Sequence, residues 1–295
     1  MTALPQGFED PWEHVRLLSD AGRNQVLVDM LRCYVKPGSR VLEVGCGTGV
    51  LSCLAARMGA SRVYAVEPTA LVEQARRLVA LNGLGRVVSV LEGMVEDLDP
   101  RKVDLAFSEL LNADPFLEGI LPASDAAAAW LAPGGVLSPG RLRILVAPVV
   151  GVASTAEAVA ARRELERLGA ATGAELGPAI RHVGDAGTYR YVAEVEDLAG
   201  SAVVAWDVAL GRGWRPPDEL ELELEVAPGA DAGGVAVWFE AEYAPGSWLR
   251  NPPGEGGHWG QLVCGWSEPP TVHGSSRRLR VRVEVEEDEL TVHPA

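Results

Sequence analysis

Lysine is nearly absent from this chain of 295 residues, and positive charge is scarce overall. Only Lys36 and Lys102 are lysines, and the formal net charge is -15. Nucleic-acid backbones are bound by clustered Lys and Arg side chains, so this charge balance argues against a nucleic-acid partner. An acidic surface suits a cationic substrate, although solubility alone explains it about equally well.

Cysteine is also scarce and is not arranged for metal binding. The four cysteines, Cys33, Cys46, Cys53 and Cys264, include no Cys-x-x-Cys pair and have no histidine at metal-ligand spacing. We therefore expect no metal site and no disulfide framework. Reduced thiols are typical of a cytoplasmic protein.

Long uncharged apolar runs are missing as well. No run approaches the roughly 18 residues that a membrane span requires, and no basic and apolar leader precedes the first predicted helix. We expect a soluble protein without a membrane partner. A hydrophobic content of 47% over this length allows one large core or two moderate ones. We expect two domains, over residues 1–140 and 141–295.

The sequence Val41-Leu-Glu-Val-Gly-Cys-Gly-Thr-Gly49 predicts a buried strand that turns into a helix, because glycine lets the backbone approach a ligand closely. The dinucleotide fingerprint would need glycine at position 50, which is Val50. A second strand, 62–67, ends at Glu67, about 20 residues after the first glycine, where a ribose hydroxyl needs an acceptor. Together these features predict a nucleotide-type cofactor site.

Helical spacing of apolar residues over 9–35 predicts two helices broken near Asp20 to Gly22. The elements that follow alternate between strand and helix, which predicts a parallel sheet with its functional edge at the strand carboxyl ends. They are strand 40–45, helix 49–58, strand 62–67, helix 70–81, strand 86–92 and strand 103–108, with an alanine-rich helix that includes 126–129.

After Gly134-Gly135 the pattern changes to short Val-rich strands separated by Gly and Pro turns. These strands predict an antiparallel barrel or sandwich. A helix expected at 155–168 interrupts them. This helix either has a partner or substrate role or packs on the surface. The strands are expected at 143–150, 201–210, 219–226, 235–243, 261–266 and 279–285.

The segment 108–118 leaves the strand 103–108 and carries three acids, Glu109, Asp114 and Glu118. Three carboxylates on one loop repel one another unless a cation lies among them. Beside a cofactor pocket, such a loop suggests a bound positive group. A solvated acidic loop is the alternative, and without its context it would be the better interpretation.

These motifs resemble those of the protein arginine methyltransferases in order and approximate spacing, over about residues 14–290. The resemblance rests on 41–49, Val63-Tyr-Ala-Val-Glu67, Glu92-Gly-Met-Val-Glu96, Ser108-Glu109 through Glu118, and His258-Trp259. It implies an α/β fold with a Rossmann-like domain that binds S-adenosylmethionine (SAM), followed by a mostly antiparallel β-barrel domain with a helical insertion. The motif Ser108-Glu-Leu-Leu and the acid at Asp114 look most like those of the monomethylating, type III branch of the family.

The resemblance implies that Arg23 pairs with the SAM carboxylate, that Glu67 holds the ribose hydroxyls, and that Val95 and Glu96 contact the adenine edge. The matching cofactor-binding positions are His14, Arg23, Glu43, Gly45, Cys46, Gly47, Gly49, Glu67, Pro68, Val95, Glu96 and Glu109.

The resemblance further implies that Glu109 and Glu118 grip a guanidinium, with Trp259 beside the substrate. His258 would meet Asp20 across the active site and take the proton after transfer. Two carboxylates match the planar fork of donors that arginine offers and lysine lacks. We therefore expect an arginine Nω-methyltransferase that acts on a protein, a peptide or free arginine, and that forms a homodimer as the family does.

The sequence departs from the family pattern at several places. Gly257 replaces the family's threonine before His-Trp, Leu111 replaces a methionine, and the N-terminal aromatic helix is not recognisable. These departures leave two alternatives open. One is a small-molecule N-methyltransferase acting on another amine or amidine, and the other is an inactive module that binds SAM.

Overall fold

The structure is a computed structural model that describes residues 11–150, 164–165, 167–176, 188–191, 193, 195–230, 232–255, 257–266, 277–286 and 288–295. The helices are α1 (Pro11–Ser19), α2 (Ala21–Tyr34), α3 (Val50–Arg57), α4 (Leu71–Leu81) and α5 (Ile120–Trp130). The strands of the first half are β1 (Arg40–Val44), β2 (Arg62–Glu67), β3 (Val88–Glu92), β4 (Val103–Ser108) and β5 (Leu131–Ser138). Those of the second half are β6 (Arg141–Val150), β7 (Thr188–Tyr191), β8 (Val203–Ala209), β9 (Glu219–Glu225), β10 (Ala232–Ala244), β11 (Ser247–Arg250), β12 (Gln261–Gly265), β13 (Arg278–Glu286) and β14 (Glu289–Pro294).

The predicted break between the first two helices is confirmed at Asp20. This residue has an extended backbone, and its side chain accepts a hydrogen bond from the Arg23 backbone N–H at 2.9 Å. Aspartate at such an N-cap satisfies one of the donors that the first turn of a helix leaves without an intrahelical partner. The cap therefore fixes where α2 begins, and with it the position of Arg23 in its first turn.

Five parallel strands form the first sheet, in the order β3-β2-β1-β4-β5. Val44 at the end of β1 is in register with Val66 of β2 and with Ser108 of β4. The carboxyl ends of these three strands therefore meet at one edge of the sheet, where ligands bind in folds of this kind. The predicted parallel sheet is confirmed.

The fifth strand, β5, was not predicted, because Pro133, Gly134 and Gly135 look like a turn in the sequence. Gly134 has a φ of +79°, and a Cβ on Gly135 would lie 3.0 Å from the Val103 backbone oxygen. The pairing of β4 with β5 also shifts register between Val103 and Leu105. The glycines thus permit an irregular strand to lie close against β4, rather than ending the sheet.

Apolar side chains from this sheet and from α5 form one core cluster. Trp130 is almost fully buried there and lies 5.7 Å from the Tyr64 ring, measured between centroids. Aromatic contacts at this distance add to the stabilisation that comes from burying the ring area. The buried members are Leu42, Val44, Val66, Val95, Val103, Ala106, Ala123, Ala127 and Trp130.

The second half of the chain forms antiparallel pairs, as predicted. One sheet has the order β7-β12-β10-β6-β8, with β11 paired to β10, and a second has the order β14-β13-β9. The short strands β7, β11 and β14 were not predicted. Among the described residues these strands form two sheets, and closure into a barrel stays a prediction. Of the helix expected at 155–168, residues 155–163 and 166 lie outside the described residues, while 164–165 and 167–172 are helical.

The chain divides into two compact units. The first contains the described residues up to Arg143 together with Trp206–Arg215 and Glu240–Arg250. The second contains the described residues of Ile144–Ala205, Pro216–Phe239 and Asn251–Ala295. Two stretches from the second half of the chain thus belong to the first unit. The domain boundary after residue 140 stays a prediction. None of the helices in the described part of the chain is long and apolar enough to cross a membrane.

Glu43 is an acidic residue whose side chain is buried in the first compact unit. It lies on β1, and the hydroxyl of Ser52 on α3 donates a hydrogen bond to its carboxylate. Burial raises the pKa of Glu43 from 4.5 to about 8, against the opposing effects of Ser52 and Arg23. The carboxyl group is therefore largely protonated at neutral pH in the ligand-free protein.

Replacing Glu43 by Gln should flatten the pH dependence of stability. Between about pH 4.5 and 8 the folded protein holds a proton on Glu43 that the unfolded chain releases, so the free energy of unfolding falls as the pH rises. One such proton contributes roughly 1.4 kcal/mol per pH unit, and Glu43→Gln removes that contribution. Urea unfolding at several pH values in this window measures the slope.

Glu73→Gln is the matched control, because the Glu73 side chain is exposed and pairs with Arg76 at the surface. It should keep the wild-type slope. Equal slopes in the wild type and in Glu43→Gln would contradict a raised pKa at Glu43.

Candidate functional site

The three glycines after β1 are required by the backbone around them. Gly45, Gly47 and Gly49 all have positive φ, at 69°, 52° and 79°. A Cβ on Gly45 would lie 2.7 Å from the Leu110 side chain, and one on Gly49 would lie 3.3 Å from the Ala75 Cα. A larger residue is thus strained at all three positions, and at Gly49 it would also press on the backbone of α4. Gly45 and Gly47 are partly exposed and carry no side chain, so a ligand could approach their backbone.

Glu67 holds the glycine loop from the end of β2. Its Oε2 accepts a hydrogen bond from the Gly47 N–H at 2.8 Å. Its Oε1 accepts from the Thr69 N–H at 3.0 Å and from the Thr69 hydroxyl at 2.6 Å. A carboxylate offers about four lone-pair sites, so these donors leave room for about one further donor. The half-buried Pro68 lies between Glu67 and Thr69 in the chain.

Two other residues expected at the cofactor site, Cys46 and His14, lie in or beside the glycine loop. The Cys46 N–H donates to the Val66 carbonyl at 2.9 Å and its own carbonyl accepts from Gly49 at 2.8 Å, while burial raises the pKa of its thiol. His14 of α1 lies beside the glycine loop, since its Cε1 would be 3.7 Å from a Cβ on Gly47. Cys46 therefore helps to shape the loop, and His14 lies next to it.

Val95 and Glu96 lie on a short 3-10 helix, Val95–Asp97, that follows β3. The Val95 side chain is buried in the core cluster, whereas Glu96 is exposed. A contact from Val95 to an adenine edge would thus come from its backbone.

A buried ion pair joins α2 to the acidic loop. The Arg23 Nε donates to Glu109 Oε2 at 2.7 Å, and its Nη2 donates to the same oxygen. The two side chains are only 6% and 5% exposed. Burial raises the pKa of Glu109, while the charge of Arg23 acts in the opposite direction and that of Asp20 in the same direction as burial.

The other acids of the loop are held by local hydrogen bonds. The Asn112 amide donates to Glu118 Oε1 at 3.0 Å, and Asp114 Oδ1 accepts from the Phe116 N–H at 3.1 Å. Asp114 is buried, as is Glu109. The interpretation of this segment as a solvated acidic loop is therefore wrong, and Asp114 has a turn-forming contact of its own.

Three aromatic residues that the sequence analysis missed, Tyr243, Trp206 and Trp214, hold this loop. The Tyr243 hydroxyl donates to the Ser108 carbonyl at 3.0 Å. The Phe116 ring lies 5.8 Å from the Trp206 ring and 6.5 Å from the Trp214 ring, measured between centroids. Strand alternation marks such residues as core, but no local pattern predicts which loop they contact.

His258 and Trp259 belong to the second compact unit. Their ring centroids lie 3.9 Å apart, and the buried Trp259 packs edge to face on Phe239 at 5.3 Å. The expected meeting of His258 with Asp20 stays a prediction. Among the residues that the structure describes, no cluster of His, Cys, Asp or Glu could hold a metal ion.

A family profile described as "Methyltransferase domain" matches residues 41–135, which include the glycine loop, Glu67 and the acidic loop. The chain is 29% identical over 286 residues to "Arginine N(omega)-methyltransferase" of Streptomyces achromogenes subsp. streptozoticus, over 92% of this chain and 76% of that protein. It is 41% identical over 117 residues to "Protein arginine N-methyltransferase PRMT10" of Arabidopsis thaliana, over 38% of this chain. That match spans only 30% of the Arabidopsis protein's length.

Among solved structures, the fold is similar to that of "Trypanosoma brucei PRMT1 enzyme-prozyme heterotetrameric complex with AdoHcy". The TM-score is 0.81 at 21% identity, over 97% of this chain and 93% of that chain. At this identity the likeness concerns the fold alone. The chain therefore contains a methyltransferase domain at 41–135, and over most of its length it is similar to an arginine N(omega)-methyltransferase.

Proposed function

We propose that this protein is a SAM-dependent arginine Nω-methyltransferase, with a protein, a peptide or free arginine as its substrate. The observation that carries the proposal is the acidic loop. Within it, Glu109 is buried and binds two nitrogens of a guanidinium, that of Arg23, while Glu118 is oriented by Asn112. The loop is thus built from the side chains that recognise a guanidinium.

The residues near the glycine loop fit the cofactor. The loop offers close backbone approach at Gly45 and Gly47, Glu67 offers an acceptor for a ribose hydroxyl, and Arg23 offers a cation for a carboxylate. Bound SAM would supply a methyl group on a sulfonium centre. The chain's own residues then have to bind, orient and shield the substrate from water.

The two carboxylates would act by position and charge. Glu109 and Glu118 concentrate the positive charge of a bound guanidinium on the nitrogens they face, which leaves more electron density on the nitrogen that reacts. Orientation of this kind can remove roughly 7 to 11 kcal/mol of a barrier. We keep His258 with Asp20 as the proposed acceptor for the proton released after transfer.

We also propose that the protein is cytoplasmic, has no nucleic-acid partner and forms a homodimer. Its thiols and its net charge of -15 support the first two proposals. The helical residues 164–165 and 167–172 support the third, because a helix inserted between strands can meet a neighbouring subunit.

Replacing Glu67 by Ala should weaken SAM and S-adenosylhomocysteine binding by about 1 to 3 kcal/mol, the usual cost of losing charged hydrogen bonds. Titration calorimetry measures this change. Glu92→Ala is the matched control, because Glu92 is the register partner of Glu67 on β3 yet is exposed. Binding of NAD with similar affinity would refute the proposed cofactor.

Glu109→Gln and Glu118→Gln should each lower single-turnover methyl transfer to an arginine substrate by roughly two to four decades. Breaking one side of a buried charge pair costs about 3 to 5 kcal/mol. Affinity for SAM should change little in Glu118→Gln, because the Asn112 amide that donates to Glu118 belongs to the acidic loop itself. Affinity is measured separately on each variant.

Asp114→Asn is the control within the same loop and should cost much less, because the Asp114 carboxylate holds a turn. Substrates without a guanidinium test the alternative of another amine or amidine. If both Gln variants keep more than about a tenth of the wild-type rate, the guanidinium is not held by these two carboxylates.

Light scattering at micromolar concentration should give the mass of a dimer. The expected dimer has two-fold symmetry and uses an element near 155–168 from each subunit. A fully active monomer would contradict this expectation.

A further inference from the structure

We propose that Tyr243 is a positioning residue for methyl transfer, because its hydroxyl fixes the start of the acidic loop that carries Glu109 and Glu118. The inference rests on the proposed function for its catalytic consequence, but its structural part stands without it. Tyr243 lies near the end of β10, in the stretch Glu240–Arg250 that belongs to the first compact unit.

The contact is made at the residue directly before Glu109. The Tyr243 Oη donates to the Ser108 carbonyl at 3.0 Å, and both residues are buried. Ser108 is the last residue of β4, so its carbonyl lies where the ordered sheet gives way to the loop. A hydrogen bond at this point sets the direction in which the chain leaves the strand.

Tyr243 is itself held by a hydrogen bond from the parallel sheet. The Ser138 hydroxyl of β5 donates to the Tyr243 carbonyl at 2.8 Å, and the Gly140 N–H donates to the Glu242 carbonyl at 3.0 Å. Ser138 is in register with Phe107, the neighbour of Ser108 on β4. The tyrosine therefore spans from β5 to the end of β4 and ties the loop to a rigid element.

The charges around the phenol favour its neutral, donating form. Burial raises the pKa of Tyr243 well above its usual range, and the charges of Glu109 and Glu118 act in the same direction, while Arg23 opposes them. The hydroxyl therefore stays protonated at neutral pH and can donate to the Ser108 carbonyl. The same interactions place Tyr243 within electrostatic reach of both carboxylates and of the guanidinium that binds Glu109.

The far part of the loop is fixed separately, by Phe116 against Trp206 and Trp214. The contact at Ser108 is therefore one of the anchors, together with the Arg23–Glu109 pair, that set where Glu109 lies in the loop. A misplacement of about 1 Å at a reacting centre can lower a rate about a hundredfold. Tyr243 is therefore in a position to influence catalysis without touching the substrate.

The test compares Tyr243→Phe with Tyr64→Phe. Both remove one phenol oxygen and keep the ring, but Tyr64 lies on β2, with its ring against that of Trp130, and is in register with Leu42 and Ser89 rather than with the end of β4. For Tyr243→Phe we expect kcat with an arginine substrate to fall roughly 5- to 100-fold, the effect of an unpaired buried carbonyl and a shifted loop. Its affinity for S-adenosylhomocysteine should stay within about twofold, and Tyr64→Phe should match the wild type in both.

Hydrogen exchange of the peptide covering 109–118 gives a readout that does not depend on activity. Exchange should be faster in Tyr243→Phe and unchanged in Tyr64→Phe. Unchanged exchange in Tyr243→Phe overturns the inference whatever the substrate is. Faster exchange with full kcat also overturns the catalytic part. Faster exchange in a protein whose wild type does not methylate arginine leaves the positioning intact and refutes the proposed function instead.

Discussion

The buried ion pair between Arg23 and Glu109 is the interaction on which the candidate site depends. It joins a helix that precedes the sheet to a loop that leaves the fourth strand, two segments separated by 86 residues. Removing either partner would leave a buried charge without compensation, which typically costs about 3 to 5 kcal/mol. The pair also places a guanidinium against Glu109 before any substrate arrives, so the carboxylate is already oriented towards that group. In the proposed reaction Arg23 then has two anionic partners, Glu109 and the cofactor carboxylate.

Local patterns in the sequence predicted the parts of the site that depend on neighbouring residues. The glycine spacing after β1 follows from backbone conformation, and the position of Glu67 follows from the length of one strand, one helix and the next strand. The break at Asp20 follows from helix capping. In each case the residue and the feature it determines lie close together in the chain, and the structure agrees with the prediction.

Features that depend on distant residues were not predicted. Nothing near Ser108 indicates that Tyr243 binds its carbonyl, and nothing near Phe116 indicates Trp206. Gly135 was misleading for a different reason. Glycine is typical both of a turn and of a strand that lies very close to its neighbour, so the strand β5 was not predicted. The burial of Asp114 could not be read from its charge, since a turn contact with a backbone N–H satisfies an acid as well as water does.

The contact between Tyr243 and Ser108 spans 135 residues of chain. Synthesis proceeds at about 5–20 residues per second, so roughly 7 to 27 s separate the appearance of the two partners on the ribosome. During that interval the parallel sheet can form from adjacent segments, whereas the acidic loop lacks the tyrosine that fixes it. A nascent chain that ends before residue 243 therefore has Arg23 to pair with Glu109 but lacks the hydroxyl that binds the Ser108 carbonyl, so the candidate active site is among the last parts of the first unit to be completed.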